Sequence, residues 1–173
     1  HLAPLVLFVG HGSQSSNNAH AASLDCGACC GQTGEVNARA LALLLNDSAV
    51  REGLECLGIA IPHETVFVAA LHNTTTDEVE GFDLDLLSPI ALERWNSMQR
   101  VFAQASDQVR RERAVSLAID PRTASAQLLT LLRRRGNDGA QTRPEWGLAG
   151  NAACIIAPRH RTYGAALDGR CFL

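Results

Sequence analysis

Apolar residues run without a break over 4–9, "PLVLFV", and again after the first residue of 65–71, "TVFVAAL". Runs of that length mark strands buried on both faces. Gly10 and Gly12 bracket His11 and end the first run. A polar loop extends from there to Gln32, long for a compact domain, and loops of that length are usually functional. The pattern then changes to a helical one. Thr33 is the expected N-cap, Glu35 suits the first turn, and Val36, Ala40, Leu43 and Leu44 make one apolar face. "NDS" at 46–48 breaks that helix and can cap a second, ending near Gly58, before Pro62 and the second strand. Strand, helices, strand is a crossover unit, so the two strands are expected to be parallel with a right-handed connection. Their carboxyl ends then share the edge at which open α/β sheets bind ligands, and His11 and His72 both follow directly on strand ends.

Ser88 and Pro89 read as N-cap and first helical residue of a long amphipathic helix reaching about Val115. Arg110, Arg111 and Arg113 late in it suit the helix dipole. Pro121 interrupts, another helix covers roughly 123–134, and a polar loop with Pro144 and Trp146 follows. "ACIIA" at 153–157 reads as a third short buried strand, closed by Pro158. The expected fold class is α/β: a three-layer, mostly parallel sheet with helices on both faces. At 173 residues the chain is expected to form a single domain, 1–173. Its opening on a strand and its apolar end "GRCFL" suggest a piece of a larger protein.

A net charge of −3 disfavours general nucleic-acid binding. All 15 basic residues are arginine, so neither a lysine Schiff base nor a P-loop lysine is available. Three of the six cysteines, Cys26, Cys29 and Cys30, fall within five positions, poor geometry for a disulfide framework. Free thiols in a reducing compartment fit better, some packing as small hydrophobes and some binding metal. The longest apolar stretch is about half of what spans a bilayer, so the chain is expected to be soluble or at most peripheral.

His11 with Cys26 is the sharpest pair for chemistry, because zinc prefers nitrogen and thiolate ligands in a tetrahedron. A capping histidine and a buried thiol is the plainer reading. Cys26-Gly-Ala-Cys29 is a lone CxxC knuckle, without the second knuckle of a zinc ribbon and too far past the strand for a thioredoxin-like pair. Cys30 reads as a packing residue. His72 with Thr74, Thr75, Thr76 and Asp77 can orient a ligand or form a turn cluster. His20, His63 and His160 read as surface residues, and Arg133 to Arg135 as a solvated helix end.

Taken together, "FVGHGSQSSNNAHAASLDCGACCGQTGEVNARALALLLN", "VFVAALHNTTTDEV" and "RPEWGLAGNAACIIAPR" resemble the DabA family along essentially the whole chain. The resemblance implies a half of a β-carbonic-anhydrase-like fold built into a much larger, peripheral subunit on the cytoplasmic face of the bacterial inner membrane. It implies a Zn2+ held by a Cys-x-Asp-x-Arg motif, a later histidine matching His11 and a later cysteine matching Cys26. It also implies a proton-conducting membrane subunit of DabB type as partner, and energy-coupled conversion of CO2 to bicarbonate. Asp25, His72, Cys29 and Thr74 are then candidates for the surroundings of the metal or for substrate contact. The chain departs from the pattern in one respect: Cys-x-Asp-x-Arg is absent, and "IDPR" at 119–122 lacks the cysteine. Two of four ligands must come from the rest of the parent chain, so this piece alone is expected to be inactive. The alternative is a non-catalytic α/β interaction or structural module whose cysteines only pack.

Overall fold

The computed structural model describes residues 2–16, 31–140, 153–166 and 171–172. Strand β1 (Leu5–Gly12) leads through helices α1 (Glu35–Asn46) and α2 (Ser48–Cys56) to strand β2 (Val66–Asn73). The two strands are parallel, in register from Leu5 opposite Val66 to Gly12 opposite Asn73. A short strand β3 (Val79–Gly81) turns back antiparallel on β2. Helix α3 (Pro89–Ser116) and helix α4 (Ser125–Gly136) follow. Strands β4 (Ala153–Cys154) and β5 (Cys171–Phe172) form a separate parallel pair.

The α/β class and the parallel crossover are as expected, but the sheet is mixed, in the order β1-β2-β3. The expected third parallel strand at 153–157 does not join it. Only Ala153 and Cys154 are extended, and Ile156 is 96% exposed, so the apolar run is not a buried strand. The actual third strand, Val-Glu-Gly, is too short to show a period.

Alternation along the strands gives each face its own cover. Val6 and Phe8 of β1 and Phe67 and Ala69 of β2 pack with Ala38 and Ala42 of α1. The Phe8 and Phe67 rings stack with centroids 5.5 Å apart. On the other face, Leu5, Leu7, Val66, Val68 and Ala70 gather around Trp95 of α3. The helix caps are local chemistry. The Ser88 hydroxyl accepts the Ala91 N–H (3.3 Å) with Pro89 in the first turn, and Asp47 accepts the Val50 N–H (3.0 Å) at the start of α2.

The N-cap of α1 is Gly34, not Thr33, and no side chain caps it. The Gly34 N–H is instead donated to the His11 carbonyl at 2.9 Å. The approach is close enough that a Cβ on Gly10 would lie 2.5 Å from the Gly34 carbonyl carbon and oxygen. A helix seated this tightly on a strand accepts only small side chains beneath it, which is why Ala38 and Ala42 are the buried residues of α1. The larger residues point away: Val36 is 71% exposed and Leu43 52%. Gly10→Ala should therefore cost about 2 kcal/mol through overpacking. Gly53 within α2 has nothing within 4 Å of its would-be Cβ, so Gly53→Ala should instead stabilise by roughly 0.5–1 kcal/mol. Denaturation midpoints of the two variants should move in opposite directions.

Beyond the end of β3, side chains close that edge of β2. The Asn46 amide donates to the Phe67 carbonyl (2.7 Å) and accepts the Phe67 N–H (3.0 Å), and Arg51 donates to the Thr65 carbonyl (2.7 Å). No helix among the described residues is long and apolar enough to cross a membrane.

Candidate functional site

His11 and His72 are register partners at the carboxyl end of the β1–β2 pair. Paired residues of parallel strands project to the same face, here the face of Leu5, Leu7 and Val68, covered by α3. His11 is exposed and His72 half-buried. The main chain at His11 is fixed by its hydrogen bond from Gly34.

His72 is held from behind. Its Nε2 lies 3.1 Å from Asp77 Oδ1, and the other carboxylate oxygen of Asp77 accepts from Arg113 Nη1 at 2.7 Å. Asp77 is 3% exposed and has a left-handed backbone, φ 58°. An ionised carboxylate can only accept, so Nε2 carries the proton and Nδ1 is the ring nitrogen left for other partners. Asp77 owes its position to the turn at 73–78: its N–H donates to the Asn73 carbonyl (2.7 Å), and the Asn73 N–H to the Glu78 carbonyl (2.8 Å).

The carboxyl half of α3 clamps that turn. Ser106 donates its hydroxyl to the Asp77 carbonyl, Arg110 donates to the Thr76 carbonyl (2.9 Å), and Arg113 also donates to the Thr74 carbonyl (3.2 Å). Burial pushes the Arg113 guanidinium below its ordinary pKa, and the charge of Asp77 opposes that shift. The arginines expected to serve the helix dipole are thus mainly structural ties to the turn. Arg111 does a related task elsewhere, donating to Asp107 (2.8 Å) and to the Pro121 and Thr123 carbonyls between α3 and α4. Asp77 and Arg113 are the residues that sequence reasoning did not join, because their contact spans 36 positions and no local pattern reports it.

Thr74 ties the two strand ends together: its N–H (2.8 Å) and its hydroxyl (3.2 Å) both donate to the Gly12 carbonyl. The chain leaving β1 is pinned as well. The Gln14 N–H donates to the Thr75 hydroxyl (2.9 Å), and the Ser16 N–H to the carbonyl of Gly136 at the end of α4 (2.8 Å). The segment 17–30 therefore leaves this edge at a fixed Ser16 and returns to it by Gly34. Cys26, Asp25, Cys29, Cys30 and His20 fall within that segment, outside the described residues.

Beside the same edge, a cleft of about 690 Å³ is lined by Gly12, Thr33, Leu71 and Glu78 together with Gln99 of α3 and Arg133 of α4. Neither histidine lines it. The Asp120–Arg122 pair of "IDPR" is exposed and self-contained. The Arg122 guanidinium, hydrogen-bonded to it, holds the Asp120 carboxyl at about 2. Among the described residues no three His, Cys, Asp or Glu side chains gather as a metal site. His11 needs donors from outside them to bind zinc.

The family model described as "Probable inorganic carbon transporter subunit DabA" matches residues 1–173. A protein of that name from Ralstonia pickettii is 74% identical over the whole of this chain, and one from Methylovorus glucosotrophus is 71% identical over 99% of it. "Probable inorganic carbon transporter subunit DabA2" of Halothiobacillus neapolitanus is 54% identical over 99%. The chain spans about a fifth of the length of these relatives. No solved structure matches it.

Proposed function

Because the chain belongs to the DabA family, we propose that it supplies one histidine and one cysteine ligand, His11 and Cys26, to a Zn2+ site in a larger inorganic-carbon transporter subunit. The observation that carries this reading is the anchoring at the sheet edge. His11 is fixed at a strand end, and the segment bearing Cys26 leaves and returns beside it through Ser16 and Gly34. Imidazole and thiolate are the donors zinc prefers, and four ligands complete a tetrahedron. The remaining two, a cysteine and an aspartate of the family's Cys-x-Asp-x-Arg motif, lie outside this chain.

When bound, zinc would lower the pKa of a coordinated water to near 7, the chemistry that CO2 hydration needs. The chain's own residues prepare the place for it. His11 offers a ring nitrogen at the strand end. His72, oriented by Asp77 and Arg113, offers Nδ1 to a water or a carbonate oxygen on the same face. Thr74 keeps the two strand ends together. The whole subunit is then a carbonic-anhydrase-like, energy-coupled device for accumulating bicarbonate. It sits peripherally on the cytoplasmic face of the inner membrane beside a proton-conducting membrane subunit. The piece 1–173 is a single α/β unit, half of that fold, and has no activity alone.

The test is zinc per chain in the full-length subunit. His11→Ala and Cys26→Ser should each lose the metal and bicarbonate accumulation, while Cys30→Ala leaves both nearly unchanged, since alanine is close in volume to a packing thiol. Full zinc occupancy in His11→Ala rules the ligand assignment out. The exposed outer side of α1, with Val36 and Leu43, favours a second reading, an interaction module without metal chemistry. That reading wins if zinc is untouched by all three substitutions while accumulation is lost.

A further inference from the structure

Among the described residues the outer edge of β1 has no partner along Leu5–Val9, and it lacks the features that keep an open edge safe. In β1 the carbonyls of Pro4 and Gly12 accept from Val66 and Thr74 of the β2 side. Successive residues of a strand direct their peptide groups to opposite sides. Residues 4, 6, 8, 10 and 12 thus face β2, and Leu5, Leu7, Val9 and His11 turn theirs outward. The Gly34 N–H on the His11 carbonyl agrees with that assignment.

Elsewhere the chain closes its sheet edges with its own groups. Asn46 serves Phe67, Arg51 serves Thr65, and Gly34 serves His11. Among the described residues Leu5, Leu7 and Val9 receive no such partner, and no strand lies beside them. The edge carries none of the usual protections either: "LVLFV" holds no charge, no proline and no bulge. Val9 is 47% exposed although its run reads as a strand buried on both faces.

We infer that β1 is an interior strand of the full-length subunit, and that a strand from the four-fifths of the polypeptide outside residues 1–173 pairs along Leu5–Val9. The occupant is assigned to the same polypeptide for two reasons. The relatives carry that much additional chain, and a covalently joined strand meets the edge at an effective concentration no separate protein matches. The inference does not depend on zinc.

The experiment is amide hydrogen exchange at single-residue resolution on the full-length subunit, held monomeric at low concentration. The Leu7 and Val9 amides should exchange as slowly as those of Phe8 and Gly10, at least about a hundredfold slower than an open edge allows. Val9→Pro, which removes only an outward N–H, should then lower the yield of folded subunit. At a genuinely open edge proline is tolerated. Fast exchange at Leu7 and Val9 in the monomer overturns the proposal. So does protection that arises only on self-association, which assigns the edge to a second copy. Protection that requires the membrane partner overturns it too, in favour of a separate subunit.

Discussion

Asp77→Asn in the full-length subunit should cost about 3 kcal/mol, the lower end of the range for removing one member of a buried ion pair. The lower end applies because Arg113 is 26% exposed, whereas Asp77 is 3% exposed. Asparagine isolates the charge. It keeps nearly the same shape and, like aspartate, tolerates the left-handed backbone at φ 58°. The substitution removes the counter-charge to a guanidinium that burial already disfavours, and leaves one acceptor oxygen where two served His72 and Arg113. Asp77→Ala should cost about 1 kcal/mol more, since alanine adds the strain of the left-handed conformation. Denaturation midpoints measure the order, and the hydrogen exchange of β2 and α3 amides locates the loss. Two variants within about 0.5 kcal/mol of the wild type would show that the turn does not depend on this carboxylate.

Trp95→Ala should cost about 3–5 kcal/mol. Trp95 is fully buried, and it fills the space between α3 and the face formed by Val68, Ala70 and Val79. Gly81 lies directly against its ring, so that any side chain at 81 would collide with it, and Phe102 packs at 6.3 Å between centroids. The indole N–H makes no hydrogen bond among the described residues. Trp95→Phe therefore gives up volume but loses no polar contact, and should cost only about 1 kcal/mol. A phenylalanine variant as unstable as the alanine variant would mean that the N–H has a partner after all.

The elements that could be read from the chain are those whose signals are local. Ser88 with Pro89 and Asp47 announce helix starts because a cap is made with residues two or three positions on. The parallel crossover was legible because two uninterrupted apolar runs flank helical periodicity. The paired histidines followed from that crossover, as both stand at the same end of adjacent strands. Pattern failed where packing is decided by distant partners. The stripe at Val36 and Leu43 is the more hydrophobic side of α1, yet Ala38 and Ala42 face the sheet, because the Gly10–Gly34 approach leaves room for nothing larger. The apolar run at 153–157 gave a strand signal, but Ile156 is exposed and only two residues pair, with Cys171 and Phe172. The turn around Asp77 was visible as a Thr/Asp cluster, while its clamp by Ser106, Arg110 and Arg113 was not.

The two posts that bound residues 17–30 have a consequence for metal affinity. Ser16 is tied to Gly136 and Gly34 to His11, so whatever path the intervening chain takes, both of its ends are already anchored at the same edge. A chain held at both ends has a smaller range than a free one, and tethering of this kind raises local concentration. On the zinc reading, affinity is then set as much by the posts as by the ligands. A Cβ at Gly136 would press on the Gln14 carbonyl at 2.7 Å and loosen one post. On the same reading, such a change would lower the local concentration of Cys26 at His11 and weaken metal binding without altering any donor atom.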